Sequence, residues 1–197
     1  MTCRELDLTS RIVALGGSLR AESVSAQALR ACAARARRAG ARVTVFAGRD
    51  LALPLYDPES GIRTAAESRL LAALRAADGV LLACPTYHGA MSGLLKNALD
   101  HVEDLGGRAA GCVAVARNEA AGAPALAGMR AVAQALGAWA VPMGVVVRAD
   151  AAFDLRDGED HGTDPRTARR LDIMTEQVLD HARLRARTGS PALRGHL

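Results

Sequence analysis

The chain predicts a doubly wound α/β fold, and three observations carry that expectation. Short β-rich runs alternate with longer helical patterns, the inner runs are apolar throughout, and glycine-bearing loops follow the first and third of them. Strands are expected at 11–15, 42–47, 79–84, 109–116 and 140–147. Runs such as VLLAC and GVVV have no polar alternate positions. A strand apolar on both faces is covered on both, the condition of a parallel sheet between helical layers. Helical patterns span 23–39, 64–76, 92–103, 123–136 and 165–187. Gly40 and Gly137 stand where helix C-termini favour a residue tolerant of left-handed backbone. Pro165 stands where a first turn needs no N–H. Five strands in strict βα alternation give a sheet whose ligands bind beyond the strands' carboxyl ends, where strand order reverses.

The 197 residues suit one domain, 1–197, with 1–10 and 188–197 expected as flexible tails. No stretch approaches the ~20 apolar residues of a membrane span. The first ten residues carry Arg4, Glu5 and Asp7 and lack the apolar core of a signal peptide, so a cytoplasmic protein is expected. Net charge is +4, from 24 arginines and one lysine spread along the chain rather than gathered in one patch. With two Phe, two Tyr and one Trp for stacking, nucleic-acid binding is not expected. Cys3, Cys32, Cys84 and Cys112 form no CxxC pair, which argues against a zinc site or disulfide framework.

The loop after the first strand reads GGSLRAESVS from Gly16. Two glycines permit a sharp turn, and a helix start near Ser23 offers unpaired N–H groups and a positive dipole end to a phosphate. Ser18, Ser23, Ser25 and Arg20 add donors, whereas Glu22 puts a negative charge beside them. The spacing is neither Walker A nor G-x-G-x-x-G. A tight turn with Ser23 as an ordinary N-cap is the alternative. The loop after the third strand reads CPTYHGAMSG from Cys84, with Pro85 stiffening the exit and Gly89 and Gly93 allowing close approach to a flat ligand.

GGSLRxxSxS followed by CPTYHGAMSGLLKNALDHVEDL resembles the NADPH-dependent FMN reductase family of flavin, quinone, azo-dye and chromate reductases. The segment Leu53-Pro54-Leu55-Tyr56-Asp57 resembles one that those proteins carry after the second strand. The resemblance implies a flavodoxin-like three-layer sandwich, its five parallel strands ordered 2-1-3-4-5 with helices on both faces. It implies FMN as cofactor, with Ser18, Arg20, Ser23 and Ser25 on the phosphate. Pro85, Thr86, Tyr87, His88 and Gly89 would wrap the ring, and Glu119 and Gly122, in a loop after the fourth strand, would approach its pyrimidine end. NADPH or NADH would be the hydride donor and a flavin, quinone or azo compound the acceptor, with supply of reduced flavin to a monooxygenase as one role. A homodimer or homotetramer, paired through the segment 92–104, is implied as well; Met91, Leu94, Leu95, Ala98, Leu99 and Val102 are more apolar than one buried stripe requires. The rim would include a partner's Tyr56 or Asp157 region. The chain departs from the family pattern at Ser25, where many members have Asn, and at Thr86 and His88.

No protein nucleophile or acid–base pair is evident. His88 is a candidate proton donor to an acceptor, since an imidazole can give up a proton near neutrality, although a bystander ring on a backbone-binding loop is the preferred reading. His101, Glu103 and Asp104 read as solvated or interface residues rather than metal ligands, Asp154 to Asp160 as a solvated acidic loop, and Cys84 as a buried strand-end thiol. Two other classes stay open. One is an FMN-binding electron carrier serving a protein partner. The other is a nucleoside-handling transferase, for which Glu119 is the only strand-end carboxylate available.

Overall fold

In the computed structural model, residues 9–156 and 159–188 are described. Strand β1 (Arg11–Gly16) lies between β2 (Arg42–Phe46) and β3 (Gly79–Tyr87), all parallel. Beyond β3 runs β5 (Ala109–Ala116), and β6 (Trp139–Ala140) and β7 (Val145–Arg148) share the far edge. The order 2-1-3-5-6 is that of a flavodoxin-like sheet, with β4 (Ala90–Met91) added antiparallel to the end of β3. A separate hairpin joins β8 (Leu155–Arg156) to β9 (Glu159–Asp160).

Alternate side chains of the inner strands feed two cores. Val13, Leu15, Val80, Leu82, Cys112 and Ala114 face α2 (Ala65–Ala76), α3 (Gly93–Asp100) and α4 (Glu119–Ala135). Ile12, Ala14, Leu81, Ala83, Val113 and Val145 face α1 (Val24–Arg38) and α5 (Pro165–Thr188). Burial on both faces is what the continuous apolar runs demand. Ser23, Thr64, Ser92 and Asn118 cap the first four helices with side-chain oxygens on first-turn N–H groups.

Four expectations shift. The expected fifth strand is broken: β5 advances three residues from Ala110 to Val113 while its neighbour advances five, from Ala140 to Val145. Pro142, which has no N–H to give the ladder, lies in the gap. Helix α4 starts at Glu119 rather than 123, because Asn118 caps it and Pro124 is carried inside the helix. Helix α3 stops at Asp100. Ser10, expected in a tail, is buried and accepts a hydrogen bond from Arg42 N–H, and Thr188 ends α5. Residues 1–8, 157–158 and 189–197, and with them most of the expected tail residues, Cys3 and Asp157, lie outside the described residues.

Candidate flavin site

The loops leaving β1 and β3 converge because the strands are neighbours. Gly17 N–H donates to Ala83 O (2.8 Å), so the loop stays zipped to β3 one residue past the end of β1. A side chain on Gly17 would put a Cβ 2.8 Å from both Cys84 Sγ and Ser92 Oγ, so only glycine fits. Ser18 is buried and its hydroxyl accepts from Arg20 N–H (3.2 Å); the Arg20 side chain is exposed. Ser23 Oγ accepts from Ala26 N–H (3.2 Å) and lies 3.1 Å from the buried Ser25 Oγ. Ser23 and Ser25 meet at the start of α1, whose first N–H groups have no upstream helical carbonyl, and Ser18 is tied to them through Arg20, whose carbonyl accepts from Ser23 N–H (3.2 Å). Glu22 turns away from them and pairs with Arg30 (3.1 Å), removing the expected charge conflict.

Strand β3 outruns the sheet. Its pairing with β5 ends at Pro85, and the chain then folds back with Thr86 opposite Met91 and Tyr87 opposite Ala90. His88 (φ 51°) and Gly89 (φ 79°) form the turn, both left-handed as a two-residue type I′ hairpin requires. Tyr87, His88 and Gly89 are exposed at this tip, while Pro85 and Thr86 are half-buried at its base. Thr86 Oγ1 is buried and has no hydrogen-bond partner. A buried hydroxyl without a partner costs free energy that a bound polar group would recover.

The β5 exit is assembled differently from expectation. Glu119 opens α4 and its carboxylate pairs with Arg170 of α5 (2.8 Å). Gly122 is buried one turn later, where a Cβ would stand 2.5 Å from Val146 Cγ1. Neither residue lies in a free loop, and a packing contact accounts for Gly122.

Three residues outside the expected site set fix the neighbouring segments. Ser92, 2% exposed, donates from Oγ to Gly17 O (2.6 Å), and its N–H donates to Cys84 Sγ (2.9 Å). Burial raises the Cys84 thiol above its ordinary range, which keeps it a neutral packing group. Asn97 clamps the segment 53–57: its Oδ1 accepts from Tyr56 N–H (2.9 Å) and its Nδ2 donates to Pro54 O (2.9 Å). His101 completes the clamp, with Nε2 3.1 Å from Pro54 O, Nδ1 3.0 Å from Glu67 Oε1, and its ring edge-on to Tyr56. His101 is therefore nearly buried rather than solvated, whereas Glu103 points outward to Arg63 (2.6 Å). Asp104 turns back to Gly106 N–H (2.6 Å). Asp154 pairs with Arg156 at the surface, while the Asp160 side chain is buried against Arg35 (3.5 Å) rather than solvated. Among the described residues no three His, Cys, Asp or Glu side chains gather as metal ligands.

The apolar excess around α3 is also accounted for. Leu95, Ala98, Leu99 and Val102 are buried in the chain's own core, and only Met91 and Leu94 are half-open. The excess on which pairing through 92–104 was expected is largely spent within the chain.

A flavodoxin-like sandwich with two binding loops at the carboxyl ends of adjacent strands defines a class of flavin-handling proteins. Within it, the chain belongs to the NADPH-dependent FMN reductase family, whose model matches residues 10–152. It is 39% identical over 110 residues to the NADPH azoreductase of Bacillus sp. (strain OY1-2). That match covers 54% of this chain and 60% of the azoreductase. An NADH:FMN oxidoreductase structure in its apo form superposes with a TM-score of 0.65 at 25% identity, covering 89% of each chain. A WrbA-like flavodoxin from Agrobacterium tumefaciens shares the fold, with a TM-score of 0.58 at 16% identity over 89% of this chain and 98% of its own.

Proposed function

We propose that this chain is an NAD(P)H-dependent oxidoreductase that carries FMN on a single domain and reduces small acceptors such as flavins, azo compounds or quinones. The observation that carries the reading is the juxtaposition of two incomplete polar surfaces. One is the serine-lined start of α1, with an arginine side chain free to swing onto an anion. The other is a hairpin with an orphaned Thr86 hydroxyl at its base and exposed backbone at its left-handed tip. An organic phosphate joined to a flat heterocycle satisfies both at once. When bound, FMN supplies the chemistry of accepting hydride from a nicotinamide and passing electrons onward.

The chain's own residues bind and orient. Ser18, Ser23 and Ser25, with first-turn N–H groups of α1, hold the phosphate, and Arg20 closes over it. Pro85, Thr86, Tyr87, His88 and Gly89 hold the ring edge. Tyr87 and His88, both exposed, would border the acceptor's approach, where a His88 side chain facing the acceptor would be its proton donor. Glu119 and Gly122, in the first turns of α4 beyond β5, would approach the ring's pyrimidine end. Among the described residues no helix is long and apolar enough to cross a membrane. The enzyme would serve small molecules, or a monooxygenase that consumes reduced flavin. A homodimer or homotetramer would cover the exposed Leu55, Tyr56 and Tyr87. Sedimentation at micromolar concentration returning only 20.5 kDa would refute that assembly.

Equilibrium titration tests the central claim. FMN is expected to bind at micromolar concentration or better, with NADPH or NADH oxidised once a quinone or azo dye is added. A carrier serving only a protein partner would bind FMN and oxidise neither nicotinamide. Arg20→Ala is expected to weaken FMN roughly ten- to hundredfold, the worth of a charge-assisted hydrogen bond, and to leave riboflavin unaffected. Equal losses for both ligands would show that Arg20 does not read the phosphate.

A further inference from the structure

We propose that Ser92 is a positioning residue for the phosphate loop, setting the backbone of residues 17–20 before any ligand arrives. The proposal rests on the FMN reading above and adds to it a device that lies outside the loop itself. Gly17 is gripped through both of its peptide units: its N–H donates to Ala83 O (2.8 Å) and its carbonyl accepts from Ser92 Oγ (2.6 Å). Gly17 C=O and Ser18 N–H belong to one rigid trans peptide plane and point in opposite directions. Holding that carbonyl toward Ser92 therefore aims the Ser18 N–H away from the β3 exit. Ser18 Oγ then accepts from Arg20 N–H (3.2 Å), extending the order to the arginine.

Only a hydroxyl fits the position. Ser92 Oγ also accepts from Leu95 N–H (3.3 Å), capping α3, so the same atom must donate and accept. A carboxylate would cap the helix but have no proton for Gly17 O. Ser92 N–H on Cys84 Sγ (2.9 Å) anchors the assembly to β3, and the missing Gly17 side chain leaves room for the approach. One buried atom thus joins the start of α3, the exit of β1 and the exit of β3.

The test compares Ser92→Ala, Ser92→Gly and Ser92→Thr with Thr64→Ala, which removes the cap of α2 and touches neither loop. Glycine caps a helix nearly as well as serine, so Ser92→Gly separates loop tethering from capping. Ser92→Ala and Ser92→Gly are expected to weaken FMN roughly two- to tenfold, the net worth of one hydrogen bond, while riboflavin affinity holds. Ser92→Thr should retain wild-type FMN affinity, and Thr64→Ala should leave the FMN-to-riboflavin ratio unchanged. In the flavin-free protein, amide exchange across residues 17–20 should quicken in the first two variants and not in Thr64→Ala. Unchanged exchange in that segment, or equal losses for FMN and riboflavin, would overturn the proposal. Should wild-type protein fail to bind FMN, the FMN reading falls, and the exchange experiment still decides whether Ser92 sets the loop.

Discussion

Left-handed backbone at His88 (φ 51°) costs a non-glycine residue roughly 1–2 kcal/mol. Nothing in the fold obliges a histidine there, since the exposed turn would accept glycine. His88→Gly is therefore expected to leave the flavin-free protein as stable or up to about 1 kcal/mol more so, the relief of strain outweighing the added chain entropy. His88→Val, branched at Cβ, should cost about 1–2 kcal/mol. Thermal melts decide, and a clear loss of stability in His88→Gly would mean that the ring makes contacts worth more than the strain. Strain retained at a site loop fits a side chain kept for what it does there. Site residues differ in how legible they are in sequence. Ser18, Ser23 and Ser25 stand out because a loop after a first strand is where ligands bind. Ser92, Asn97 and His101 do not, because their partners are Gly17 O, Pro54 O and Glu67, far away in the chain. Side-chain type is written in the sequence; where a distant carbonyl will arrive is not.

Helices with strong caps were legible to within a residue, since Ser23 and Thr64 carry local signals that need no tertiary context. Helix α4 starts four residues before the expected 123, because Asn118 caps it and Pro124 is carried inside the helix. Hairpin β3–β4 was hidden: a His-Gly turn lacks the Asn-Gly or Asp-Gly signature, so the extension of β3 past Cys84 read as loop. Where α4 meets the edge strand, Gly122 leaves 2.5 Å between a would-be Cβ and Val146 Cγ1. Gly122→Ala is expected to destabilise the protein by about 1–3 kcal/mol through overpacking, despite alanine's better helix propensity. Because that contact is structural, FMN and riboflavin affinities should move together in this variant. A selective loss for FMN or a gain in stability would contradict the packing account.

The strand order 2-1-3 could not be read from βα alternation alone, which fixes neighbours only by rule of thumb; the family resemblance supplied it. Acidic groups fasten the finished molecule at three places remote from the sheet. Glu67 is held below the ordinary 4.5 of a glutamate, first by its bond with the Thr64 side chain, then by Thr64 N–H, with His101 adding to both. Asp164 is held below 3.8 by Thr167 at the start of α5. Burial pushes Asp160 up, yet Thr163, Gly162 and Arg35 together bring it below 3.8. A carboxyl whose folded value is depressed binds fewer protons folded than unfolded, so its stabilisation is complete above the unfolded value and disappears as pH falls through the folded one. Melting temperature should therefore hold from pH 7 to about pH 5 and fall steadily below it. Glu67→Gln keeps an oxygen for Thr64 N–H but removes the charge facing His101. The variant should melt below wild type at pH 7, and the gap should narrow below about pH 4.5 and close as pH falls through the lower folded value, where protonation makes the two side chains nearly equivalent. A gap that stayed constant down to pH 3 would show that the carboxylate charge contributes nothing to holding α2 against the 53–57 segment.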